Sequence, residues 1–290
     1  MKLSIITINY NNAEGLKKTL ASVASQTYRN IEHIIIDGGS TDGSVDIIRE
    51  YENTIKRSVT INQSTIQVKW VSEPDLGIYN AMNKGIRNAS GEYIQILNSG
   101  DVLASPDVTA KMIAALNDEM SRDKSLNDGV PILYGNMIKK DYATGKVIGK
   151  SREVEYSLRQ YFSSTMNHDC CYFRRDLFET YGLYDESLKI VSDWKWFMQV
   201  IGLGKVKPIY VNIDVTIFDA SGISESNLEL RNKERRQVLE EVLPPAILAD
   251  YDKYAFPMEQ YNRMKKYHLW PIAYFMERVL FKLNNWKILR

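Results

Sequence analysis

The chain has little cysteine, no long apolar run and no surplus of charge of either sign, and each shortage removes a class of protein. Its two cysteines in 290 residues, Cys170 and Cys171, are neighbours. Adjacent thiols cannot lay out a disulfide framework or supply a four-ligand zinc site, so a reducing compartment is expected. Lysine and arginine total 37 against 36 aspartates and glutamates. Without a global basic field, nucleic acid is not an expected partner. No apolar stretch approaches the roughly 18–20 residues that span a bilayer. The short apolar run within residues 1–10 lacks a small-residue cleavage site and reads as a buried strand rather than a signal peptide. A cytoplasmic protein is expected, soluble or peripheral on the inner face of the membrane. Neither G-x-G-x-x-G nor a phosphate-loop motif is present, which disfavours dinucleotide binding and P-loop phosphoryl transfer. There is no internal repeat and no low-complexity stretch. What remains is an ordinary globular mixture, 44% hydrophobic and 25% charged, long enough for one large domain plus an appendage.

Strand and helix signals alternate through the first part. Strands are expected at residues 3–8, 31–36, 68–71 and 93–97, each a short apolar run rich in β-branched residues. Between them fall helices at 12–25, where Leu16, Leu20 and Val23 share a face, near 45–51, and at 78–87. Another helix is expected from Pro106 to residue 116. Alternation of this kind means right-handed βαβ units and a mostly parallel sheet with flanking helices, an α/β, Rossmann-like fold. Residues 117–129 read as a loop. Strands at 132–138, 147–148 and 206–218 and helices at 175–181, 193–201 and 225–242 then follow in mixed order. The expected layout is a nucleotide-binding half (1–107), a mixed half (108–224) and a helical extension (225–290). Residues 265–290 carry six basic groups against Glu277, net +5, interleaved with Trp270, Tyr274, Phe275, Phe281 and Trp286. Such a segment suits either an anionic bilayer surface or packing against protein.

In an open parallel sheet, ligands sit beyond the carboxyl ends of the strands. All four predicted strands end in polar residues: Asn9-Tyr10-Asn11-Asn12, Asp37-Gly38-Gly39-Ser40-Thr41-Asp42-Gly43, Glu73-Pro74-Asp75 and Asn98-Ser99-Gly100-Asp101. Their coincidence implies one shared polar cleft. Asp37 could accept a hydrogen bond from a nucleobase, or could simply form a turn before Gly38 and Gly39. A lone Asp101 at a strand end suits a hard cation that bridges two phosphates and takes few protein ligands. Helix capping is the alternative for Asp101, although Ser105 is better placed for it.

The segment Ile5-Ile6-Thr7-Ile8-Asn9-Tyr10-Asn11, followed by Asp37-Gly38-Gly39-Ser40-Thr41-Asp42-Gly43-Ser44, resembles the opening of family 2 glycosyltransferases of the GT-A fold. Glu73-Pro74-Asp75-Leu76-Gly77-Ile78-Tyr79-Asn80-Ala81-Met82-Asn83-Lys84-Gly85 and Leu97-Asn98-Ser99-Gly100-Asp101 resemble matching segments of the bacterial polysaccharide branch. The likeness is clear through residues 3–107 and thinner to about 224. It implies a nucleotide-sugar donor, UDP-sugar favoured, bound by Thr7, Asn9, Tyr10, Asp37, Asp75, Lys84 and Asn98, with Asp37 reading the base. The family's Asp-x-Asp-Asp slot here keeps only Asp101, the implied ligand for Mn²⁺ or Mg²⁺. The implied base is Asp193, in Ile190-Val191-Ser192-Asp193-Trp194-Lys195-Trp196-Phe197, with helix capping as the plainer role and Asp185 as the fallback base. His168 would meet the acceptor or the diphosphate. The implied activity is inverting transfer of a sugar to a glycan or lipid-linked acceptor in cell-surface polysaccharide synthesis.

Two other functions fit parts of the sequence: a sugar nucleotidyltransferase, and a nucleotide-sugar-binding protein without catalysis. The first calls for a Gly-rich basic loop after the first strand, where Asn9-Tyr10-Asn11-Asn12 stands instead. Cys170 and Cys171 are expected to be packing residues. Arg174 and Arg175 could meet phosphate or be surface charge. Residues 218–224 resemble an active-site loop hinged at Gly222.

Overall fold

The computed structural model describes residues 1–62, 66–126, 128–141, 144–154, 157–219, 227–253, 271–272 and 274–276. The expected loop hinge at Gly222 and most of the basic tail, 265–290, lie outside the described residues.

The first half follows the alternation of its sequence. Strands β1 (Leu3–Asn9), β2 (Ile31–Asp37), β3 (Gln67–Ser72) and β4 (Tyr93–Ile96) pair in parallel in the order β3-β2-β1-β4. Every residue of β1 and β2 is buried, as continuous β-branched runs require when both faces of a sheet are covered. Helices α1 (Ala13–Ala24), α2 (Ser44–Asn62) and α3 (Ile78–Asn88) make the crossovers. Asn12 caps α1 by accepting from Gly15 N at 3.1 Å. Helix α3 lies close on β1: a Cβ at Gly85 would stand 2.3 Å from Ile6 Cγ2.

After β4 the chain makes the two-residue strand β5 (Val102–Leu103) and helix α4 (Val108–Arg122). The helix begins after the Ser105–Asp107 turn, where Ser105 Oγ donates to Asp107 Oδ1, and it continues through residues read from sequence as loop. Strands β6 (Ile132–Lys140), β7 (Val147–Lys150), β8 (Cys171–Arg174) and β9 (Ile209–Asp219) complete the sheet in the order β4-β8-β6-β9-β5, with β7 beside β6. Strand β8 runs antiparallel to both β4 and β6, whereas β9 is parallel to β6. Short helices α5 (Leu158–Ser163), α6 (Asp176–Tyr181) and α7 (Ser192–Phe197) cover this half, α7 running on into a π-helical turn, Met198–Leu203. Rings of Phe173, Phe178, Tyr184 and Trp196 pack around α7, with Phe178 stacked on Trp196 at 4.8 Å. Trp194 Nε1 donates to Tyr161 O at 2.6 Å and Trp196 Nε1 to Gly182 O at 2.9 Å. These bonds satisfy the buried indoles and fix the helix in rotation.

Two compact units divide the chain, Met1–Arg235 and Arg236–Arg290, the boundary falling within α8 (Leu228–Val242). In the second unit Arg236 bridges Glu240 and Asp252 at 2.7 Å each. Among the described residues no helix is long and apolar enough to cross a membrane.

One buried carboxylate ties the amino-terminal ends of β1, β2 and β3. Glu32, fully buried, accepts from Ser4 Oγ at 2.5 Å, Lys69 Nζ at 2.9 Å, Ser90 Oγ at 2.8 Å, Gly91 N at 3.0 Å and also Ser90 N, with Lys2 Nζ at 3.0 Å. Burial opposes its charge, but these donors outweigh burial and hold the carboxyl far below its ordinary range. A depressed folded-state pKa stabilises the fold above the unfolded value, and that stability is lost as pH falls. Glu32→Gln should therefore lower unfolding free energy at pH 7 by roughly 2–3 kcal/mol, and the difference should shrink below about pH 4.3. Urea unfolding of both proteins at pH 7 and pH 4 measures it; an equal gap at both values would refute the account.

Candidate active site

The polar strand ends do converge, though partly on one another. Asp37, fully buried, accepts from Asn9 Nδ2 at 2.8 Å, Ser40 Oγ at 2.6 Å, Ser40 N at 3.0 Å and Ser72 Oγ at 2.6 Å. Burial would raise its pKa, but the bonds from Ser40, Ser72 and Asn9 prevail and keep it ionised. Its four acceptor positions are filled from within the protein. The loops after β1 and β2 are laced together by Asn11 N to Ser40 Oγ (2.8 Å), Thr41 N to Asn11 Oδ1 (2.9 Å) and Ala13 N to Asp42 Oδ2 (2.8 Å). Asn11 takes a left-handed φ of 48° to do so.

Gly38 forms a bare wall of the cleft. A Cβ there would stand 2.5 Å from Asp75 Oδ2 and 3.1 Å from Tyr10 Cδ2, so the Asp75 carboxylate and the Tyr10 ring meet across the glycine. Tyr10 is 66% exposed, a free aromatic face at the rim. Asn9 Oδ1 is buried with no partner. Lys84 is turned away to Glu73 at 2.7 Å. Thr7 sits two residues back from the rim, fully buried, with its hydroxyl 2.9 Å from His33 Nε2. His33 also meets the Tyr51 hydroxyl at 2.8 Å, and burial pushes its pKa down to about 3, so it is a neutral core group.

A second cluster gathers His168, Asp193, Asn98 and Asp101 around a pocket of ≈ 180 Å³. His168 Nδ1 lies 3.1 Å from Asp193 Oδ2, and His168 Nε2 lies 3.2 Å from the Asn98 amide. The two side chains keep 17% and 16% of their surface exposed, so a ligand can reach them. Burial disfavours charge on both, but each favours the charged form of the other, so the pKa of His168 is raised and that of Asp193 lowered. Asp169, buried behind them and accepting from Thr216 Oγ1 at 2.5 Å, has its pKa raised by burial against the pull of His168. The far side of the pocket carries Lys139 of β6 and Arg231 and Arg235 of α8.

Asp193 does not cap its helix, whose N-cap residue is Val191. Its Oδ1 instead meets the Tyr79 hydroxyl at 2.9 Å, and that hydroxyl also lies 2.6 Å from Ile190 O. The same stretch is held from the opposite side by Glu234 of α8, which accepts from Lys189 N at 2.7 Å and Ile190 N at 2.9 Å. Asp185, the fallback base, is engaged by Lys195 at 2.8 Å and by Ser187 in a turn. Neither Tyr79 nor Glu234 stood out in the sequence. Tyr79 lies inside the motif Ile78–Gly85, where the eye goes to the charged Lys84, and nothing marks Glu234 among the charges of α8.

Asp101 is brought in by the turn Asn98–Asp101, closed by Asp101 N to Asn98 O at 3.0 Å, with Gly100 at φ 108° and Thr19 Oγ1 donating to Asp101 O at 2.7 Å. Asn98 Oδ1 is buried without a partner in the same pocket as the Asp101 carboxylate. Among the described residues no three histidine, cysteine or acidic side chains cluster as a metal cage. One carboxylate and one amide oxygen fit a cation that draws its other ligands from phosphate and water, not one held by protein alone. Cys170 and Cys171 are buried and both direct Sγ at Asn167 O, at 3.2 and 3.1 Å, as packing residues. Arg174 pairs with Asp176 and Arg175 with Glu179, each at 2.7 Å, so both are structural.

Comparison with known proteins gives the arrangement its family. The family model "Glycosyl transferase family 2" matches residues 4–182. An uncharacterized glycosyltransferase of Mycobacterium tuberculosis is 30% identical over 227 residues, 76% of this chain and 76% of its own. A PGL/p-HBAD biosynthesis glycosyltransferase of Mycobacterium bovis is 26% identical over 219 residues, 76% of this chain and 77% of its own. Among solved structures, residues 1–349 of Staphylococcus aureus TarS in complex with UDP align with a TM-score of 0.59 at 20% identity, covering 91% of this chain and 74% of that one. The mannosyltransferase PcManGT of Pyrobaculum calidifontis, in complex with GDP-Man and Mn²⁺, aligns at 0.58 and 18% identity over 83% of this chain and 63% of its own. These structural likenesses bear out the expected GT-A fold. Matched by the family model over more than half its length, the chain is a member of glycosyl transferase family 2.

Proposed function

We propose that this glycosyltransferase carries out a single inverting displacement, taking its sugar from a UDP-sugar and passing it to a glycan or lipid-linked acceptor. The observation that carries the reading is the Asp193 carboxylate, ionised beside His168 and open to a pocket that Asp101 shares. In this reading Asp193 takes the proton of the acceptor hydroxyl as that oxygen bonds to the anomeric carbon. The bond from that carbon to the diphosphate breaks with its electron pair on the leaving group, and configuration inverts. General-base action of this kind contributes roughly 10²–10⁴ in rate.

The donor base is assigned to the wall between Tyr10 and Asp75, over Gly38, where a ring can stack on Tyr10 and an imide N–H can reach a carboxylate. Asp37, its acceptor positions occupied, supports this wall from behind through Asn9 and Ser40. Asp101 and the Asn98 amide oxygen would hold Mn²⁺ or Mg²⁺ together with the diphosphate, supplying neutralisation of the leaving group's charge. UDP is favoured because TarS is known with UDP and with UDP-GlcNAc; PcManGT is known with Mn²⁺. Surface-glycan synthesis is favoured by the relative named for PGL/p-HBAD biosynthesis. A peripheral position on the inner membrane face is supported by the exposed side chains of Ile272, Phe275 and Met276 within the basic tail.

A panel of UDP-, GDP- and dTDP-sugars, assayed for diphosphate release with and without Mn²⁺, should show turnover with a UDP-sugar. Asp193→Asn should lower kcat by about 10²–10⁴ with UDP affinity kept; undiminished turnover would remove Asp193 from its role. Asp101→Asn should abolish the stimulation by Mn²⁺, and stimulation that persists would place the cation elsewhere. Deleting residues 265–290 should weaken binding to phosphatidylglycerol vesicles without weakening UDP binding. Vesicle binding unaffected by the deletion would assign the tail to protein packing.

A further inference from the structure

We propose that Tyr79 is a positioning residue that holds Asp193 in both protonation states by turning one hydroxyl proton between two acceptors. This inference rests on Asp193 acting as the base. The Tyr79 oxygen stands 2.9 Å from Asp193 Oδ1 and 2.6 Å from Ile190 O. Both are hydrogen-bond distances, yet a phenol has one proton to donate. While Asp193 is ionised, Oδ1 and the Ile190 carbonyl compete for that proton. Once Asp193 has taken the acceptor's proton, the competition ends. The proton resting on Oδ1 is donated to the Tyr79 oxygen, the Tyr79 hydrogen turns to Ile190 O, and both contacts become proper hydrogen bonds. Oδ2 keeps its bond from His168 Nδ1 throughout. The balance is complete: the acceptor O–H bond breaks, an Asp193 O–H bond forms, and Tyr79 neither gains nor loses a proton.

The surroundings suit such a pivot. Tyr79 is 5% exposed, its ring 5.7 Å from that of Tyr184, so only the hydroxyl hydrogen is free to turn. Burial, joined by the charge of Asp193, raises its pKa well above the ordinary tyrosine value, so it stays protonated wherever the enzyme works. Ile190 cannot drift from it, because its N–H is bound to Glu234 at 2.9 Å. Among the described residues, the charged and titratable groups around the Asp193 pocket are His168 from the turn before β8, Tyr184 from the loop before α7, Asp101 and Asp169, Lys139 from β6, and Arg231 and Arg235 from α8. Lys195 on its own helix is taken up by Asp185. Among the groups bonded to Asp193, Tyr79 alone is a neutral hydroxyl that can both give and receive.

The test uses the full-length enzyme and the nucleotide sugar that turns over best, with water as acceptor. Tyr79→Phe keeps the ring and removes the pivot. We expect kcat to fall about 10–100-fold, as for loss of a hydrogen bond to a charged group, with KM for the donor unchanged. We also expect the acid limb of the pH profile of kcat/KM to move to higher pH, because ionised Asp193 loses a donor. Replacing Tyr79 by 3-fluorotyrosine strengthens the donor without a cavity and should move the limb the other way. UDP binding establishes that each protein is folded. An inactive Asp193→Asn beside a Tyr79→Phe with wild-type kcat and acid limb would overturn the inference. If Tyr79→Phe fails to bind UDP, an unmoved limb in the fluorotyrosine protein overturns it equally. An active Asp193→Asn would instead overturn the reading of Asp193 as base.

Discussion

A carboxylate withdrawn from water must be ringed by donors, and that requirement organises this protein at three places. Glu32 gathers Ser4, Lys69, Ser90 and Gly91 at one end of the parallel strands. Asp37 gathers Asn9, Ser40 and Ser72 at the other. Asp193 gathers His168 and Tyr79 across the join between the parallel strands and the mixed half. The first two are closed rings that stiffen the sheet. The third is left partly open to the pocket, and there the chemistry is assigned. Isolated buried acids are costly; each of these is held by residues remote in sequence, so each also specifies which strands and loops lie together.

Legibility differed with the kind of element. Wholly buried strands announce themselves as apolar runs, so β1 and β2 could be read to within a residue of their ends. Helix α2 was recognised only to Tyr51, because its last turns carry Lys56, Arg57 and Thr60 with no capping signal to mark where they end. Helix α4 outran its reading for the same reason: Asn117, Asp118 and Glu119 look like a loop but continue a solvent-facing stripe. Strand β8 is four residues long and antiparallel between longer neighbours. Its pairing is decided by partners distant in sequence, and no local pattern carries that.

For the site, position in the motif was legible and orientation was not. That Asp37 closes β2 and Asp101 follows β4 could be read from the apolar runs before them, whereas His168 and Asp193 were placed by the resemblance alone. That Asp37 has no acceptor position left, that Lys84 turns to Glu73 and that Thr7 faces His33 depend on side-chain geometry, which a string of letters does not hold. Lys84 shows the difficulty well. A lysine in a ligand-rich motif invites a phosphate contact, yet the nearest carboxylate in the folded chain is two residues before Asp75 and claims it.

Glu234 makes the segment that carries Asp193 answer to a helix some forty residues further on. The stretch at Lys189–Ile190 has no regular structure of its own to fix it; its amide hydrogens are satisfied by that one side chain. A chimera that exchanged residues 185–200 for those of a relative, while keeping a helix without an acid at this position, would carry the proposed base and still leave two backbone donors stranded. The inheritable unit of the proposed site is accordingly discontinuous: the segment around Asp193 and the helix that bears Glu234 belong together.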